Sequence, residues 1–384
     1  RHKELLTDDF FPGKAGITVQ TEHVQPGYLL ISRLSAEQNK NIIELMDKST
    51  GKVWHTWSPT YEDIYHDPSV PFANDDAQSV INMRFTHPYL FEDGSLAFIA
   101  IGGRVVRVDK ESKVMWQTKH HFHHAINVDH DGNLWVPAKI RPSPYKLHPI
   151  VSPLSEDYED QKSDFEEESL VQMSPGGEIL KEISVLDILL DNGLKSHIVS
   201  KWTSKFSDDP THLNDIQPVL KDTLFAKKGD LFLSMRSNNL VLLYRPSTHK
   251  VLWHQAGPWI AQHDVTIDND EEITVLSNDL PLDPFDKHMQ SAVMTYNFKT
   301  KTVKEKYRKP IMESQFYAWS QGLQTVLPNG NVLLEETVRS RILELSFEGV
   351  EWEYINRFDQ DHLGNLGWSR FLMKEQVNLE VFNK

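Results

Sequence analysis

The segment FEDGSLAFIAIGGRVVRVDKESKVMWQ, residues 91–117, contains short apolar stretches separated by turn residues. An Asp-Gly turn follows the first stretch, and Asp109 ends the stretch before the last one, which carries Trp116. Short runs of branched and aromatic residues bounded by Gly, Asp and Ser are typical of antiparallel strands joined by tight turns. This segment therefore predicts one small antiparallel sheet.

The same pattern recurs along the chain. The other copies are residues 27–57 (second half of the pattern only), 123–136 continuing to 170–183, 227–255, 262–276 continuing to 291–307, and 327–354. Six such units are typical of a β-propeller. A sandwich or barrel also has many strands, but it gives no reason for repeated Asp-turn-aromatic endings. We therefore predict an all-β fold, a six-bladed β-propeller with an inserted loop and a short helix.

The domain organisation predicted from these repeats is a single propeller over residues 1–384, with an N-terminal extension at 1–23. Residues 141–170 are rich in proline and then in acidic residues, which is typical of a solvated loop. We therefore expect residues 141–210 to be an insertion between blades 3 and 4 that includes part of blade 3.

The insertion contains one predicted helix, near residues 184–192. Ser184 and Asp187 match a helix N-cap, and apolar residues at 185, 188 and 189 begin a buried stripe. Asn192 followed by Gly193 is a typical helix end.

The composition excludes several classes of protein. The 384 residues include 40 Lys and Arg against 55 Asp and Glu, a formal net charge of −15, whereas nucleic-acid binding needs a basic face. The absence of cysteine excludes disulfides, thiolate metal sites and a cysteine nucleophile. No apolar run approaches the length of about 18 residues that a membrane-spanning helix needs.

Three histidines occupy related positions in the repeats. His124 and His263 each lie nine residues before a residue of the following turn, Asn133 and Glu272, and His212 enters blade 4 at a similar point. A single histidine in a strand is more often a surface or core residue than a catalyst, but unrelated histidines have no reason to share a register. We therefore expect the three imidazoles to converge at one mouth of the central channel.

No cofactor or metal is expected. The cluster KHHFHH, residues 119–124, allows a zinc or copper hypothesis, but it lacks an HExxH-like spacing and a neighbouring carboxylate. The turn DHDGN, residues 129–133, lacks the later Glu of a calcium loop. The chain also has no GxxxxGK phosphate-binding loop.

Six motifs in order resemble the PAPS-independent bacterial arylsulfotransferases and their arylsulfotransferase-like relatives. The motifs are VQPGYLLISRL with DKSTGKVWHTW, HHAINVDHDGN, DPTHLNDI, LSMRSNNLVLL, AQHDVTI and SQGLQTVLPNGNVLL. The resemblance extends from about Val24 to Tyr354. It implies a propeller that moves a sulfuryl group from an aryl sulfate donor to a phenolic acceptor, with these two small molecules as its partners.

The resemblance also implies roles for single residues. His263 matches the histidine that becomes transiently sulfated, His212 and His124 match the accompanying histidines, and Arg236 matches the anion-binding arginine. Ala125 stands where the family commonly has Asp. The family's extra N-terminal β-domain and disulfide have no counterpart here.

Three neighbouring residues, His123, Asn214 and Asp264, are expected to bind substrate. Asp264 and Gln262 flank His263 and are predicted to orient its ring. A neutral imidazole is a competent nucleophile, and an arginine fork suits two sulfate oxygens.

Two alternatives remain open from the residues alone. One is another group transfer or sulfate-ester hydrolysis on the same propeller, because a fold does not fix a reaction. The other is a non-catalytic ligand-binding or scaffold propeller. For localisation, the resemblance and a chain that begins at Arg1 lead us to expect an exported protein, periplasmic or extracellular, preceded by a signal peptide or a membrane anchor.

Overall fold

The structure, a computed structural model, describes residues 5–65, 84–100, 102–119, 121–140, 167–199, 209–280 and 290–383. The other residues, including 141–166 and 200–208 of the predicted insertion, lie outside the described residues. The described chain folds into six antiparallel sheets arranged as blades in a ring, so the predicted six-bladed β-propeller is confirmed.

In each blade, the strands lie side by side from the central channel to the outer edge. In order from the inner to the outer edge, blade 1 contains Arg370–Leu372, Tyr28–Ser35, Lys40–Asp47 and Val53–Trp57; blade 2 contains Phe85–Leu90, Leu96–Ala100, Arg104–Val108 and Val114–Gln117; and blade 4 contains Leu213–Pro218, Leu231–Met235, Leu240–Arg245 and Lys250–Ala256. Blade 5 contains His263–Ile267, Glu272–Ser277, Ala292–Asn297 and Thr302–Lys306, and blade 6 contains Leu323–Val326, Val332–Glu336, Arg341–Leu345 and Val350–Ile355.

Blade 3 differs because its inner strand is interrupted. Two short strands, His121–Phe122 and Asn127–Val128, both pair with Leu134–Ile140, and the outer strands are Glu167–Met173 and Ile179–Ser184. The interruption leaves residues 123–126 free of regular strand geometry at the channel wall.

Both ends of the chain contribute to ring closure. The inner strand of blade 1, Arg370–Leu372, comes from the C-terminal part of the chain, whereas its other three strands are N-terminal. From the predicted N-terminal extension, Gly16–Gln20 pairs with the outer strand of blade 6, and Leu6–Asp8 pairs with His362–Gly364. Strands from distant parts of the sequence therefore share sheets on both sides of the closure.

Apolar side chains fill the space between neighbouring blades. For example, Phe98 of blade 2 and Leu45 of blade 1 share one buried cluster, while Leu333 of blade 6 and Leu29 of blade 1 share another. Corresponding clusters lie between blades 2 and 3, 3 and 4, 4 and 5, and 5 and 6. Because burial of apolar area is the main driving force of folding, each blade is stabilised by its two neighbours.

The predicted short helix is confirmed as Val185–Asp191. Ser184 Oγ accepts the Asp187 N–H at 3.2 Å, and Asn192 follows the helix. The buried face of the helix packs between blades 3 and 4. The other helices are Tyr61–Tyr65, Ser196–Val199 and Arg308–Glu313, with 3₁₀ turns at Arg236–Asn238, Lys374–Gln376 and Leu379–Phe382. No helix among the described residues is long and apolar enough to cross a membrane.

Candidate active site

Buried carboxylates connect the inner edges of neighbouring blades. In each case a backbone N–H near the start of one inner strand donates to a carboxylate of the preceding blade: Leu213 to Glu168 (2.5 Å), Val265 to Asp215 (2.8 Å), Gln324 to Asp264 (2.6 Å) and Ser369 to Glu335 (2.7 Å). A buried N–H without an acceptor would cost about 1–3 kcal/mol. These bonds therefore set where the inner strands begin relative to one another.

The predicted histidines lie at the starts of inner strands. His263 is the first residue of its strand, His212 directly precedes its strand, and His124 lies in the interruption of the blade 3 strand. The backbone is left-handed at His124 (φ 58°) and His212 (φ 50°), a conformation that histidine adopts more often than most residues other than glycine. Such backbone strain is often found at functional sites.

The three imidazoles converge, as predicted. The ring of His124 lies 5.0 Å from that of His212 and 6.1 Å from that of His263, measured between centroids. Three different blades therefore contribute one imidazole each to a single cluster. His124 is the member whose ring neighbours both of the others.

Hydrogen bonding fixes the tautomer of His263. Its Nδ1 lies 2.7 Å from Asn278 Oδ1, and Asn278 Nδ2 donates to the carbonyl oxygens of Ala318 and Gln321. Because these two carbonyls require the amide nitrogen of Asn278, its oxygen must face the imidazole, and Nδ1 must carry the proton. Nε2 of His263 is therefore left with its lone pair.

The charge state of His263 is also set by its surroundings. Only 3% of the residue is exposed, and burial lowers the pKa of His263 to about 4, although the Asn278 bond opposes the shift and Arg236 adds to it. The imidazole is therefore neutral at pH 7. A neutral ring with a free Nε2 can act as a nucleophile.

His212 has a different support, a carboxylate. Its Nδ1 forms a very short contact with Asp209 Oδ2, and its backbone N–H donates to Asp209 Oδ1 at 3.0 Å. A carboxylate at Nδ1 holds an imidazole in one orientation and stabilises the charged ring. His212 is thus suited to hold an anion or to exchange a proton through Nε2.

His124 is supported by a second histidine. The Nδ1 atoms of His123 and His124 lie 2.8 Å apart. Burial, followed by the neighbouring histidines, lowers the pKa of His124 well below its usual range, and burial lowers the pKa of His123 to about 3. Both rings are therefore neutral at pH 7, and one must donate to the other.

Arg236 follows the second strand of blade 4 in a 3₁₀ turn, where its N–H donates to the His212 carbonyl at 3.0 Å. Its positive charge contributes to the lowered pKa of His263, so the guanidinium lies near that ring. Within the described part of the chain, no acceptor binds its side chain. Arg236 is therefore available to bind an external anion beside His263 and His212.

A cavity of about 220 Å³ extends from His263 into the channel. The residues lining it include the predicted Asn214 and Asp264, together with Asp215, Trp368 and Arg370. Burial, and then the charge of Asp215, raises the pKa of Asp264 well above its usual range, while burial raises the pKa of Asp215 to about 7. Of the predicted catalytic residues only His263 lines this cavity, and the predicted His123, His124, His212 and Arg236 do not belong to its lining.

The predicted orientation of His263 by its sequence neighbours is wrong. Asp264 Oδ2 accepts the Gln324 N–H of the next blade, and Gln262 Nε2 donates within blade 4 to Ser234 Oγ and two carbonyls. Because successive residues of a strand point to opposite sides, neither neighbour reaches the ring that Asn278 supports. Asp264 and Gln262 instead connect blade 5 to the blades on either side.

Sequence analysis missed several residues of this site. Asn278 directly follows the strand that pairs with the His263 strand, and Trp368 lies two residues before the C-terminal strand of blade 1. His87 of blade 2 stacks on Trp368 at 4.6 Å. Only Asp209 had a local signal, because an Asp three residues before His212 matches the spacing of a turn in which a carboxylate accepts a backbone N–H.

The residues described here include no group of three or more His, Asp or Glu side chains arranged to bind a metal ion. The acidic neighbours of the imidazoles are used as hydrogen-bond acceptors for the backbone or for a single ring.

Comparison with known proteins gives one family and one fold. A family model described as arylsulfotransferase (ASST) matches residues 101–357, and no curated protein matches the sequence. A solved protein of unknown function from Bacteroides caccae is similar in structure, with 12% identity, a TM-score of 0.53, and coverage of 91% of this chain and 99% of that chain. Virginiamycin B lyase from Staphylococcus aureus has 11% identity and a TM-score of 0.42, with 91% and 97% covered.

Proposed function

We propose that this chain, which belongs to the arylsulfotransferase family, moves a sulfuryl group from an aryl sulfate to a phenol through a sulfohistidine at His263. The observation that carries the proposal is the neutral His263 with its proton on Nδ1 and its Nε2 free. The alternatives of hydrolysis and of a scaffold are outcomes of the experiments below.

The first half-reaction forms an N–S bond and breaks an S–O bond. Nε2 of His263 attacks the sulfur of the aryl sulfate, and the aryl oxygen leaves with the electrons of the S–O bond. Sulfuryl transfer, like phosphoryl transfer, requires mainly positioning and stabilisation of charge on the equatorial oxygens. Asn278 Oδ1 supports this step by accepting a hydrogen bond from His263 Nδ1–H, so that the proton stays on Nδ1.

Arg236 and His212 would bind the sulfuryl oxygens. A guanidinium presents two parallel N–H groups to an oxyanion, and the carboxylate of Asp209 holds the His212 ring in one orientation through Nδ1. Both groups lie beside His263, so they would hold the donor with its sulfur facing Nε2. They would contact the same oxygens in both half-reactions.

The second half-reaction reverses the chemistry with a phenol as acceptor. The phenol oxygen attacks the sulfur, the N–S bond breaks, and His263 regains its lone pair. The phenol proton must pass to a base, and His124, whose ring lies next to those of both His263 and His212, is the candidate. Trp368 and Phe371 line the same cavity as His263 and offer apolar surfaces for an aryl ring.

The intermediate can be tested directly. The protein is mixed with an aryl sulfate without acceptor, quenched at high pH and digested, and the gain of one sulfuryl group is mapped by mass spectrometry. We expect the modification on the peptide that contains His263. A modified peptide containing His124 or His212 instead would contradict the assignment.

Turnover separates transfer from the alternatives. Release of a chromogenic phenol from its sulfate is followed with and without an added phenol. Release that requires the added phenol supports transfer, and release without it indicates hydrolysis. No release under either condition would indicate a binding or scaffold propeller.

We also propose that the protein acts outside the cytoplasm, as its resemblance to exported relatives suggests. Fractionation of cells that produce the full-length gene product would test this proposal. Recovery with periplasmic, membrane or secreted markers is expected, and recovery with cytoplasmic markers alone would contradict it.

A further inference from the structure

We propose that Glu168, acting through His123, determines whether His124 presents a proton or a lone pair to the substrate. This inference rests on the proposed function for its chemistry, because it concerns the proton that the phenols exchange. Glu168 is a positioning residue here, and His124 is the group that would contact the phenol oxygen.

The contacts form a chain from Glu168 to the histidine cluster. Oε1 of Glu168 lies 3.6 Å from His123 Nε2, and Nδ1 of His123 lies 2.8 Å from Nδ1 of His124. The ring of His124 then faces those of His212 and His263. Both nitrogens of His123 therefore lie between Glu168 and His124.

At one end of this series of contacts, a ring nitrogen of His123 lacks a hydrogen-bond partner among the described residues. Among the described residues, no hydrogen-bond partner lies within ordinary distance and angle of the buried His123 Nε2, although the backbone of Ala138 is close enough to affect the pKa of His123. Glu168 Oε1 lies 3.6 Å from this nitrogen. Oε2 of Glu168 already accepts from Thr211 Oγ at 2.6 Å and from the Leu213 N–H. A movement of about half an ångström would give His123 and Glu168 a hydrogen bond of ordinary length.

Glu168 can hold or release a proton near neutral pH. It is 3% exposed, and burial, followed by the charge of Asp209, raises its pKa to about 7, while Thr211, Leu213 and His212 oppose the shift. Besides burial, Lys139 and His212 lower the pKa of His123, and Asp209 raises it. The Glu168 carboxyl therefore gains or loses a proton near pH 7, whereas the imidazoles of His123 and His124 stay neutral there.

Two hydrogen-bond arrangements follow from the two states of Glu168. When Glu168 is protonated, it donates to His123 Nε2, His123 Nδ1–H donates to His124 Nδ1, and His124 Nε2 carries a proton. When Glu168 is ionised, His123 Nε2–H donates to it, His123 Nδ1 accepts from His124, and His124 Nε2 has a lone pair. Neither arrangement places a charge on an imidazole.

The two arrangements match the two half-reactions. In the first, His124 Nε2–H protonates the leaving phenolate, and Glu168 replaces the proton through His123, so the carboxyl ends ionised. In the second, His124 Nε2 accepts the proton of the attacking phenol, and the proton returns through His123 to Glu168. The proton released by one phenol is thus the one supplied to the other.

The variant Glu168→Gln distinguishes the proposed role of Glu168 from a purely structural one. Glu168→Gln keeps an oxygen for the Leu213 and Thr211 bonds but presents an N–H group to His123 at every pH. The proton on His124 Nε2 should then be permanent. Glu167→Gln is the matched control, because Glu167 is the adjacent buried carboxylate and accepts from Ser184 Oγ.

The first measurement needs no turnover. Long-range ¹H–¹⁵N correlations in histidine-labelled protein report which ring nitrogen of His124 is protonated, and a His124→Gln variant assigns the signals. In the wild type and in Glu167→Gln, we expect Nε2 to lose its proton as pH rises through about 7. In Glu168→Gln we expect it to keep the proton to pH 8.5, and the same tautomer change in all three proteins would overturn the proposal.

The second measurement separates the half-reactions. Sulfated enzyme is prepared with 4-nitrophenyl sulfate, whose leaving group departs as an anion, and is then mixed with phenol. In Glu168→Gln, release of nitrophenol should remain within about twofold, whereas transfer to phenol should slow by about 10²-fold, the range of general-base catalysis. Equal loss in both steps, or no loss in either, would overturn the proposal. Failure to form sulfated wild-type enzyme would instead contradict the proposed function. In that case the tautomer measurement still decides the role of Glu168.

Discussion

Blades 3 and 5 each place a histidine four residues before the end of the inner strand, yet they give it different surroundings. His263 in blade 5 is held by the neutral amide of Asn278, whose own donors are both used. His124 in blade 3 lies in an interrupted strand, and among the described residues its Nδ1 contacts another imidazole, that of His123. Equivalent positions in a repeat therefore place the rings, while non-equivalent partners determine what each ring can do.

The largest effect should come from replacing the two histidines. His263→Ala removes the proposed nucleophile, and loss of a nucleophile can lower kcat on the order of 10⁵-fold or more. His124→Ala removes a group that exchanges a proton, a loss on the order of 10³-fold. Steady-state transfer from an aryl sulfate to phenol would measure both.

The proposed difference between His263 and His124 would be contradicted if the two variants were equally impaired and both still formed the sulfated intermediate. Circular dichroism provides the folding control for each variant. Near wild-type activity in His263→Ala would refute the assignment of the nucleophile to blade 5.

Asn278→Ala should have the next largest effect, about 10²-fold in kcat, because the wrong tautomer of a catalytic imidazole is severely impaired. The variant removes the nearer of two acceptors at Nδ1 of His263 and leaves only the Ala261 carbonyl, at 3.2 Å, to hold the proton there. It leaves the donors of blade 3 in place. We therefore expect the loss in the first half-reaction, measured as the rate of nitrophenol release in a single turnover. A loss confined to acceptor transfer would contradict this role.

The sequence predicted the blades because their strands and turns repeat locally. It also predicted the register of His124 and His263, since distance from a turn is conserved between units of the same chain. Blade 1 shows where local pattern ends: its N-terminal unit carried only half of the pattern, and its inner strand Arg370–Leu372 comes from the opposite end of the chain. An incomplete unit was the available signal for that closure.

The partners of the histidines could not be predicted in the same way. Asn278 lies 15 residues after His263 and reaches it across a strand pair, and Glu168 lies 45 residues before the Leu213 whose N–H it binds. Sequence neighbours such as Asp264 were the wrong choice because a strand turns successive side chains apart. Contacts between blades depend on packing that one unit does not encode.

Arg236→Lys should have a smaller effect, a decrease of about tenfold in kcat/KM for the donor. Lysine keeps the charge but not the two parallel N–H groups that match two sulfuryl oxygens. Because the charge of Arg236 lies near the His263 ring, we expect the decrease in the steps that involve His263, namely donor binding and nitrophenol release. Arg107→Lys is the control, since Arg107 pairs with Asp93 in blade 2, and equal behaviour of both variants would contradict the anion-binding role.

The smallest effect, and the sharpest test of the blade 5 environment, is the pH dependence of the first half-reaction. The nucleophile must be neutral, so its activity is present above the pKa of His263 in the folded protein and is lost as pH falls through it. Because burial lowers that pKa to about 4, about 90% of His263 is neutral at pH 5, compared with about 3% for an imidazole with the ordinary pKa of about 6.5. The rate of nitrophenol release after a rapid pH jump should therefore be nearly constant from pH 8 to about 5.5 and fall tenfold per pH unit only below about 4. Asn278→Asp, which places a carboxylate at Nδ1, should move this decrease to higher pH. A wild-type decrease centred near pH 6.5 would show that His263 is not a buried neutral ring, and the comparison with blade 3 depends on that state.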